Sequence, residues 1–462
     1  MKLSIEEIVQ ATGGRLLSPG RARHVNGVSI NSKTVRRGNC FIAIRGERHD
    51  GHRFASEAVH KGAVAVIVSR EVTNVPSTIG VILVKDTTAA FGELARHYRL
   101  KFKVTVIAIT GSAGKTTTKN LMAAVLAKRY RVLKNEGTQN NHIGVPLTLL
   151  KLKAFHQIAV VEVGTNRPGD IRWLTHVASP DIAVFTNIGE SHLERLKTPA
   201  NVFREKAALA RGLRRKATGI FNSDDKFLRR LPRMRRDVRW ISFGRNPKAD
   251  CAVDRLEAKK GRLHFRVNGR YEMKLQTRTP ANVMNAAAAV ACARCRKVPF
   301  DAIRQALASF RFSSGRQAVN RIGGCWLIDD SYNANPVSAR SALETLGLFN
   351  GGGRKIFVCG DMLELGRQAQ PLHQSVGRFA VSQKVDMILT FGRRARWIGR
   401  GAKEADSQAA VWHATSRAQL HRRLAEFCRP DDVILVKGSR GMRMEETVAF
   451  LTRSFQKRNP RN

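Results

Sequence analysis

The stretch VTVIAITGSAGKTTTK, residues 104–119, decides how the chain is read. An apolar run of strand length, VTVIAI, leads straight into Thr110-Gly-Ser-Ala-Gly, and Lys115 opens a helical pattern that continues as KNLMAAVLAKR. Strand, glycine-rich turn and helix in that order predict a phosphate-binding loop. Glycines let the backbone turn and approach an anion, successive N–H groups face phosphate oxygens, and the helix N-terminus adds positive potential. Gly111, Ser112, Ala113, Gly114 and Thr117 form the predicted cradle; Lys115 is expected to reach the outer phosphates and Thr116 to offer its hydroxyl to a magnesium ion. The loop has the compact G-x-x-G-K-T-T form, since the first glycine of the longer G-x-x-x-x-G-K-[ST] pattern would fall at Ile109. A glycine turn that only caps a helix is the structural alternative.

Outward from the loop, strand-length apolar runs alternate with helical patterns: QIAVVEVG, then DIAVFTN. Such alternation predicts βαβ units around a mostly parallel sheet. Before it, residues up to about 100 mix short apolar runs (CFIAI, AVAVIVS, GVILV) with polar turns, after a capping box in which Ser4 precedes Glu7. After Ser313-Ser314-Gly315 a second series begins, with WLIDD, KIFVCG, VDMILTFG and VILVKG. The expected fold is therefore α/β in three domains: a small N-terminal α/β domain (1–100), a central P-loop domain with a mostly parallel sheet (101–312) and a C-terminal Rossmann-like domain (313–462).

Composition narrows the class. The 462 residues are 43% hydrophobic and 25% charged, which excludes disordered and fibrous chains. The 81 Lys and Arg against 36 Asp and Glu leave +45, so nucleic acid, anionic membrane and phosphorylated ligands all stay open as partners. The most basic region runs from Arg204 to Arg239, and RSFQKRNPRN forms a basic tail. MKLSIEEIVQATGG lacks the apolar core of a signal peptide, and no run reaches about 18 apolar residues, so a cytoplasmic protein without membrane insertion is expected. Seven scattered cysteines suit free thiols in a reducing compartment. Cys292 and Cys295, the one close pair, read as small buried helical residues rather than a metal or redox site.

Three further residues carry chemistry. Glu162 ends a strand that looks buried, where a carboxylate is costly unless paired or bound to a cation, which makes it a candidate magnesium ligand. His192 follows the strand and turn DIAVFTNIGESH, and taken alone reads as a surface or core-edge histidine. Lys206, in FREKAALA, reads locally as an exposed helical lysine.

The TGSAGKTTTK loop resembles that of the Mur ligases and folylpolyglutamate synthases, ATP-dependent enzymes that join a carboxylate to an amine. The likeness to the Mur ligases continues in order through GERHDGHRF (46–54), NEGTQNNHIGVPLTLL (135–150), EVGTNRPGDI (162–171), TNIGESHLE (186–194), IDDSYNANPVSA (328–339), GDMLELG (360–366) and LVKGSR (435–440). SYNANP with GDMLELG is its most specific part. The resemblance implies ATP and Mg2+ as cofactors, and a monomer that joins D-alanyl-D-alanine to UDP-N-acetylmuramoyl-tripeptide through an acyl phosphate.

Residue by residue, the resemblance makes His192 a ligand of a second magnesium ion and Lys206 a lysine that becomes a carbamate, with Thr116 and Glu162 on the first ion. Lys115 and Arg316 become catalytic, Arg316 by neutralising charge on the transferring phosphoryl group. Asn282, Asn285, Arg316 and Asp330 are expected at the nucleotide, although Ala281 stands where the family pattern has His, and the two asparagines could equally cap a helix. Ser32, Lys33, Asp50, His52, Asn140, Asn141, Tyr332, Asn333 and Asn335 are the implied substrate contacts. Asn31-Ser32-Lys33 replaces an Asp-Ser-Arg segment, and Lys for Arg removes a planar fork for phosphate.

Two other readings compete: a sibling ligase that adds a single amino acid to the same precursor, and a basic P-loop protein that binds nucleic acid. Against the latter, no helix-turn-helix, zinc-finger or RNP-type signature is present, and the Arg-rich stretches lack interleaved aromatics, so no specific nucleic-acid partner is expected.

Overall fold

Ser4 and Glu7 open the chain's first helix, Ile5–Thr12, as the sequence predicts: the Ser4 hydroxyl accepts the Glu7 amide at 3.0 Å and the Glu7 carboxylate accepts the Ser4 amide at 2.9 Å. The computed structural model describes residues 1–46, 49–259, 261–349 and 352–458; Glu47 and Arg48 of GERHDGHRF and the last four residues of the basic tail lie outside them. The chain forms two compact units, one of Met1–Ala108, Tyr130–Gly164 and Asp170–Ile182, the other of Ile109–Arg129, Thr165–Gly169 and everything from Ala183 onward.

In the first unit a five-stranded sheet runs in the order Arg15–Ser18, Gly80–Leu83, Ala63–Val68, Asn39–Ile42, Gly27–Ser29. Its outer pair, Arg15–Ser18 with Gly80–Leu83, is antiparallel and the other pairs are parallel. The run AVAVIV is apolar at every position because this inner strand is covered on both faces. Strands Val132–Lys134 and Ile158–Glu162 pair in parallel in the same unit.

In the second unit Thr218–Asn222, Arg239–Gly244 and Cys251–Lys259 are parallel neighbours. The sheet then continues as an antiparallel meander through Arg262–Val267 and Tyr271–Leu275, an extension that the reading of alternating units does not include. Its cause is a change of pattern from continuous apolar runs to strict alternation, with Leu263, Phe265 and Val267 buried. Helix Ala281–Cys295 packs against helix Lys115–Leu126 and is buried almost all round, which is why it is built of alanine. Cys292 and Cys295 lie on this helix, and all seven cysteines are free thiols, as the composition predicts.

The last segment is doubly wound: Ala318–Ile322 pairs antiparallel with Cys325–Asp330, after which Val433–Lys437, Lys355–Gly360, Met387–Phe391 and Val411–Ala414 follow in parallel. An apolar cluster lies on each face of this sheet, one around Leu343, Phe357 and Ile398, the other around Ile356, Leu420 and Leu451. The starts of the two central strands of this sheet are tied by Arg354, whose Nε and Nη2 reach the two Asp432 carboxylate oxygens at 3.0 and 2.7 Å. Nη2 also donates to the Phe427 carbonyl, the guanidinium stacks over the Phe427 ring, and Asp432 is only 2% exposed. Removing one partner of such a pair strands the other charge, so Asp432→Ala should destabilise this segment by about 3–5 kcal/mol, visible as a lower thermal unfolding midpoint. An unchanged midpoint would show the pair to be dispensable.

Candidate active site

The glycine-rich loop is held from behind by the segment TNIGES. The amides of Ser112 and Ala113 donate to the backbone carbonyl and side-chain oxygen of Asn187, both at 2.9 Å. Thr186 donates its hydroxyl to the Ala113 carbonyl at 2.6 Å, and the Ser112 hydroxyl is bonded by Gly189 and Ser191. Two of the amides expected to face phosphate are thus taken by the protein. The first helical bond runs from the Thr118 amide to the Gly114 carbonyl, so the amides of residues 115–117 precede the ladder at the helix's positive end.

Gly114 caps this helix in the left-handed region, at φ +79°. A Cβ there would lie 2.3 Å from Asn285 Oδ1. Asn285 Oδ1 accepts the Thr118 hydroxyl at 3.2 Å, its Nδ2 donates to Asn282, and Asn282 donates to Thr277. Both asparagines are buried and brace the loop helix; the helix they sit on has no side-chain cap, so the capping alternative falls. Lys115 Nζ bonds the Gly111 carbonyl at 2.8 Å, folded back over the loop.

His192, at the edge of this loop, is felt electrostatically by Lys206 and Lys115. Burial pushes its imidazole below the usual histidine range, the Glu364 hydrogen bond pulls the other way, and the two lysines add to the depression. Its Nδ1 lies 2.6 Å from Glu364 Oε2. Lys206 is 1% exposed at the end of helix Pro199–Lys206, which overturns its local reading as a surface lysine: the flanking Val202, Phe203, Ala207 and Ala208 draw that face into the core.

Among the described residues no three His, Cys, Asp or Glu side chains gather as a metal cage. Magnesium commonly takes one or two protein oxygens and completes its shell with phosphate and water, so the Thr116 hydroxyl and a carboxylate suit it. Imidazole nitrogen is a softer donor. Glu162, in the first unit, is 1% exposed at its strand end as predicted; Oε1 accepts Asn140 Nδ2 at 2.7 Å and its amide donates to the buried Asn135.

In the last segment Asp330 is buried against Lys437 (2.5 Å), and burial pushes its carboxyl up against the pull of Lys437 and Arg316. Arg316 stacks over Tyr332 at 4.2 Å, and Lys437 also donates to the Asn333 carbonyl. Asn335 caps helix Pro336–Gly347 and reaches the loop, Nδ2 donating to the Ser112 carbonyl at 3.3 Å.

The first-unit residues named by the resemblance are largely engaged locally. Ser32 is buried on Glu57, Asn141 Oδ1 accepts the amides of Ile143 and Gly144, and Lys33 is exposed. His52 accepts the Ser69 amide at Nε2, so Nδ1 carries the proton and donates to Asp50 at 2.6 Å. Sequence reasoning missed Thr186, Asn187, Asp329 and Glu364. Thr186-Asn187 directly after a strand was the available signal; Asp329, which accepts Ser314, Gly315 and Ser331, was hidden beside the more visible Asp330.

Three family descriptions match successive parts of the chain: "Mur ligase family, catalytic domain" over residues 24–99, "Mur ligase middle domain" over 109–293 and "Mur ligase, glutamate ligase domain" over 315–440. A UDP-N-acetylmuramoyl-tripeptide–D-alanyl-D-alanine ligase of Bacillus subtilis is 33% identical over 457 residues, covering 98% of this chain and 99% of the relative. The chain belongs to the Mur ligase family. An Escherichia coli relative of the same name is 31% identical, covering 98% of each chain. Among solved structures, the Mur ligase MurF of Acinetobacter baumannii superposes with a TM-score of 0.90 at 29% identity, over 98% of this chain and 99% of that one. MurF of Thermotoga maritima in complex with ADP gives 0.85 at 30%, over 94% and 98%. The three-domain α/β fold expected from the sequence is thus the fold of this Mur ligase.

Gly114→Ala tests the cradle. The left-handed backbone and the clash with Asn285 should cost about 1–3 kcal/mol, read as roughly ten- to hundredfold weaker ATP binding by calorimetry with circular dichroism unchanged. Wild-type affinity in that variant would show that the loop does not hold nucleotide.

Proposed function

We propose that this chain is an ATP-dependent peptide ligase that joins D-alanyl-D-alanine to UDP-N-acetylmuramoyl-tripeptide, as a cytoplasmic monomer supplying a cell-wall precursor. The observation that carries the reading is similarity over nearly the full chain to ligases named for that reaction, at 33% and 31% identity. The γ-phosphoryl group of ATP passes to the terminal carboxylate of the tripeptide, giving an acyl phosphate and ADP. The amine of the dipeptide then attacks the acyl carbon, phosphate leaves, and the amine releases its proton. Catalysis rests on positioning and charge neutralisation.

Lys115 and Arg316 are the cations assigned to the moving phosphoryl group. Asn282 and Asn285 support the nucleotide site through the loop helix, and Asp330 with Lys437 positions the segment carrying Arg316 and Tyr332. Thr116, Glu162, His192 and Lys206 are the proposed magnesium ligands, Lys206 after its amine has added carbon dioxide and lost a proton to become a carbamate. Bound magnesium supplies charge neutralisation at the phosphate oxygens. Breaks near residues 100 and 313 are the proposed hinges between domains 1–100, 101–312 and 313–462.

Phosphate release from ATP should require both the muramoyl tripeptide and D-alanyl-D-alanine, and Lys115→Ala should lower kcat at least about a hundredfold. Release driven equally by free diaminopimelate or lysine would point to a sibling ligase, and release that needs DNA would refute ligation altogether. Lys206→Ala should be inactive and regain turnover with short added carboxylic acids; full activity without them would remove the carbamate.

A further inference from the structure

The segment GDMLELG (360–366) holds a residue in a costly conformation. Glu364 sits at φ +63°, in the left-handed region that a non-glycine residue enters only at some expense, and His192, which it meets, sits at φ +54°. The base of the segment is pinned on three sides. Asp361 accepts the amides of Arg394 and Ala395, the Met362 amide donates to the fully buried His373, and the Leu363 amide donates to Ser439. So anchored, the segment reaches the short helix Leu193–Leu196 by two bonds. The Glu194 amide donates to the Glu364 carbonyl at 2.9 Å, and His192 Nδ1 lies 2.6 Å from Glu364 Oε2. Gly366 permits the approach, since a Cβ there would fall 2.9 Å from the Glu194 Cα. Leu372 packs on Leu193, Leu196 and Val202 beside it.

The geometry points to Glu364 as a positioning residue for His192: its carboxylate holds the proton on Nδ1 and turns Nε2, with its lone pair, into the ligand atom. Because Glu364 belongs to the C-terminal segment and His192 to the P-loop segment, the tautomer is set only when the two are docked. Docking of the segment proposed to carry the incoming dipeptide therefore completes a metal ligand, which ties assembly of the metal site to closure. A ligating histidine whose other ring nitrogen donates to a carboxylate gains both a fixed ring orientation and basicity. The inference rests on the ligase reading for the metal role of His192, while the tautomer it assigns does not.

The test uses full-length protein labelled with 15N histidine, the His192 signals being assigned by their loss in His192→Gln. Wild type should show the Nδ1–H tautomer without metal; Glu364→Ala should shift toward Nε2–H, the form favoured in water, while Glu364→Gln, which keeps an acceptor, should retain Nδ1–H. The magnesium concentration that half-saturates ATP binding should rise in the order wild type, Gln, Ala, by roughly 10- to 100-fold for Ala, with metal-free ATP affinity unchanged. If the Ala variant unfolds, the Gln variant decides through its magnesium midpoint. An Nε2–H tautomer in wild type, or equal magnesium midpoints in the folded variants, overturns the proposal. A chain that shows the tautomer shift yet never couples ATP to the dipeptide would instead refute the ligase reading.

Discussion

A loop can offer itself to an anion only if its own backbone is held in place by something other than that anion. Here the hold is a set of neutral groups, side-chain and backbone. Asn187 takes the amides of Ser112 and Ala113, Thr186 fills the Ala113 carbonyl, and Asn285 presses against Gly114 while bonding Thr118. Neutral partners suit the task, because a carboxylate in their position would repel phosphate. Everything the loop does with Lys115, and everything His192 can do at its edge, presupposes that this brace keeps its shape without ligand.

Charge is managed differently on either side of the site. The buried carboxylates keep close partners: Asp330 has Lys437, and Asp329 collects Ser314, Gly315 and Ser331. Arginines, far outnumbering carboxylates, turn to aromatic faces and carbonyls. Arg278 lies over Trp326 and Phe349 and Arg294 over Phe300, while Arg235 adds bonds to the carbonyls of Ala210, Arg211 and Leu213 to its ion pair with Asp237. Guanidinium tolerates such partners because its charge is delocalised over a weakly hydrated plane.

Legibility followed distance along the chain. The loop, its strand and its helix could be read because all of their determinants fall within sixteen residues. Glu162 was found because a carboxylate ending an apolar run is conspicuous in itself. Lys206 was misread on local grounds because nothing in FREKAALA says which face is covered. Only its likeness to a known pattern, and then its burial, placed it near His192. The antiparallel meander of residues 251–275 escaped notice because its alternation is a weaker signal than the apolar runs around it.

By itself the sequence determined the strand, loop and helix of the anion site, the alternation of strands and helices around it, and the strand-end carboxylate Glu162, since each depends on propensity and spacing within one segment. The pairings Asn187 with Ala113, Asn285 with Thr118, Asp329 with Ser314 and Glu364 with His192 were decided by tertiary structure alone. Each joins groups from separate segments, up to 172 positions apart, and a hydrogen bond needs its two atoms within about 3 Å, which only the packed chain can arrange.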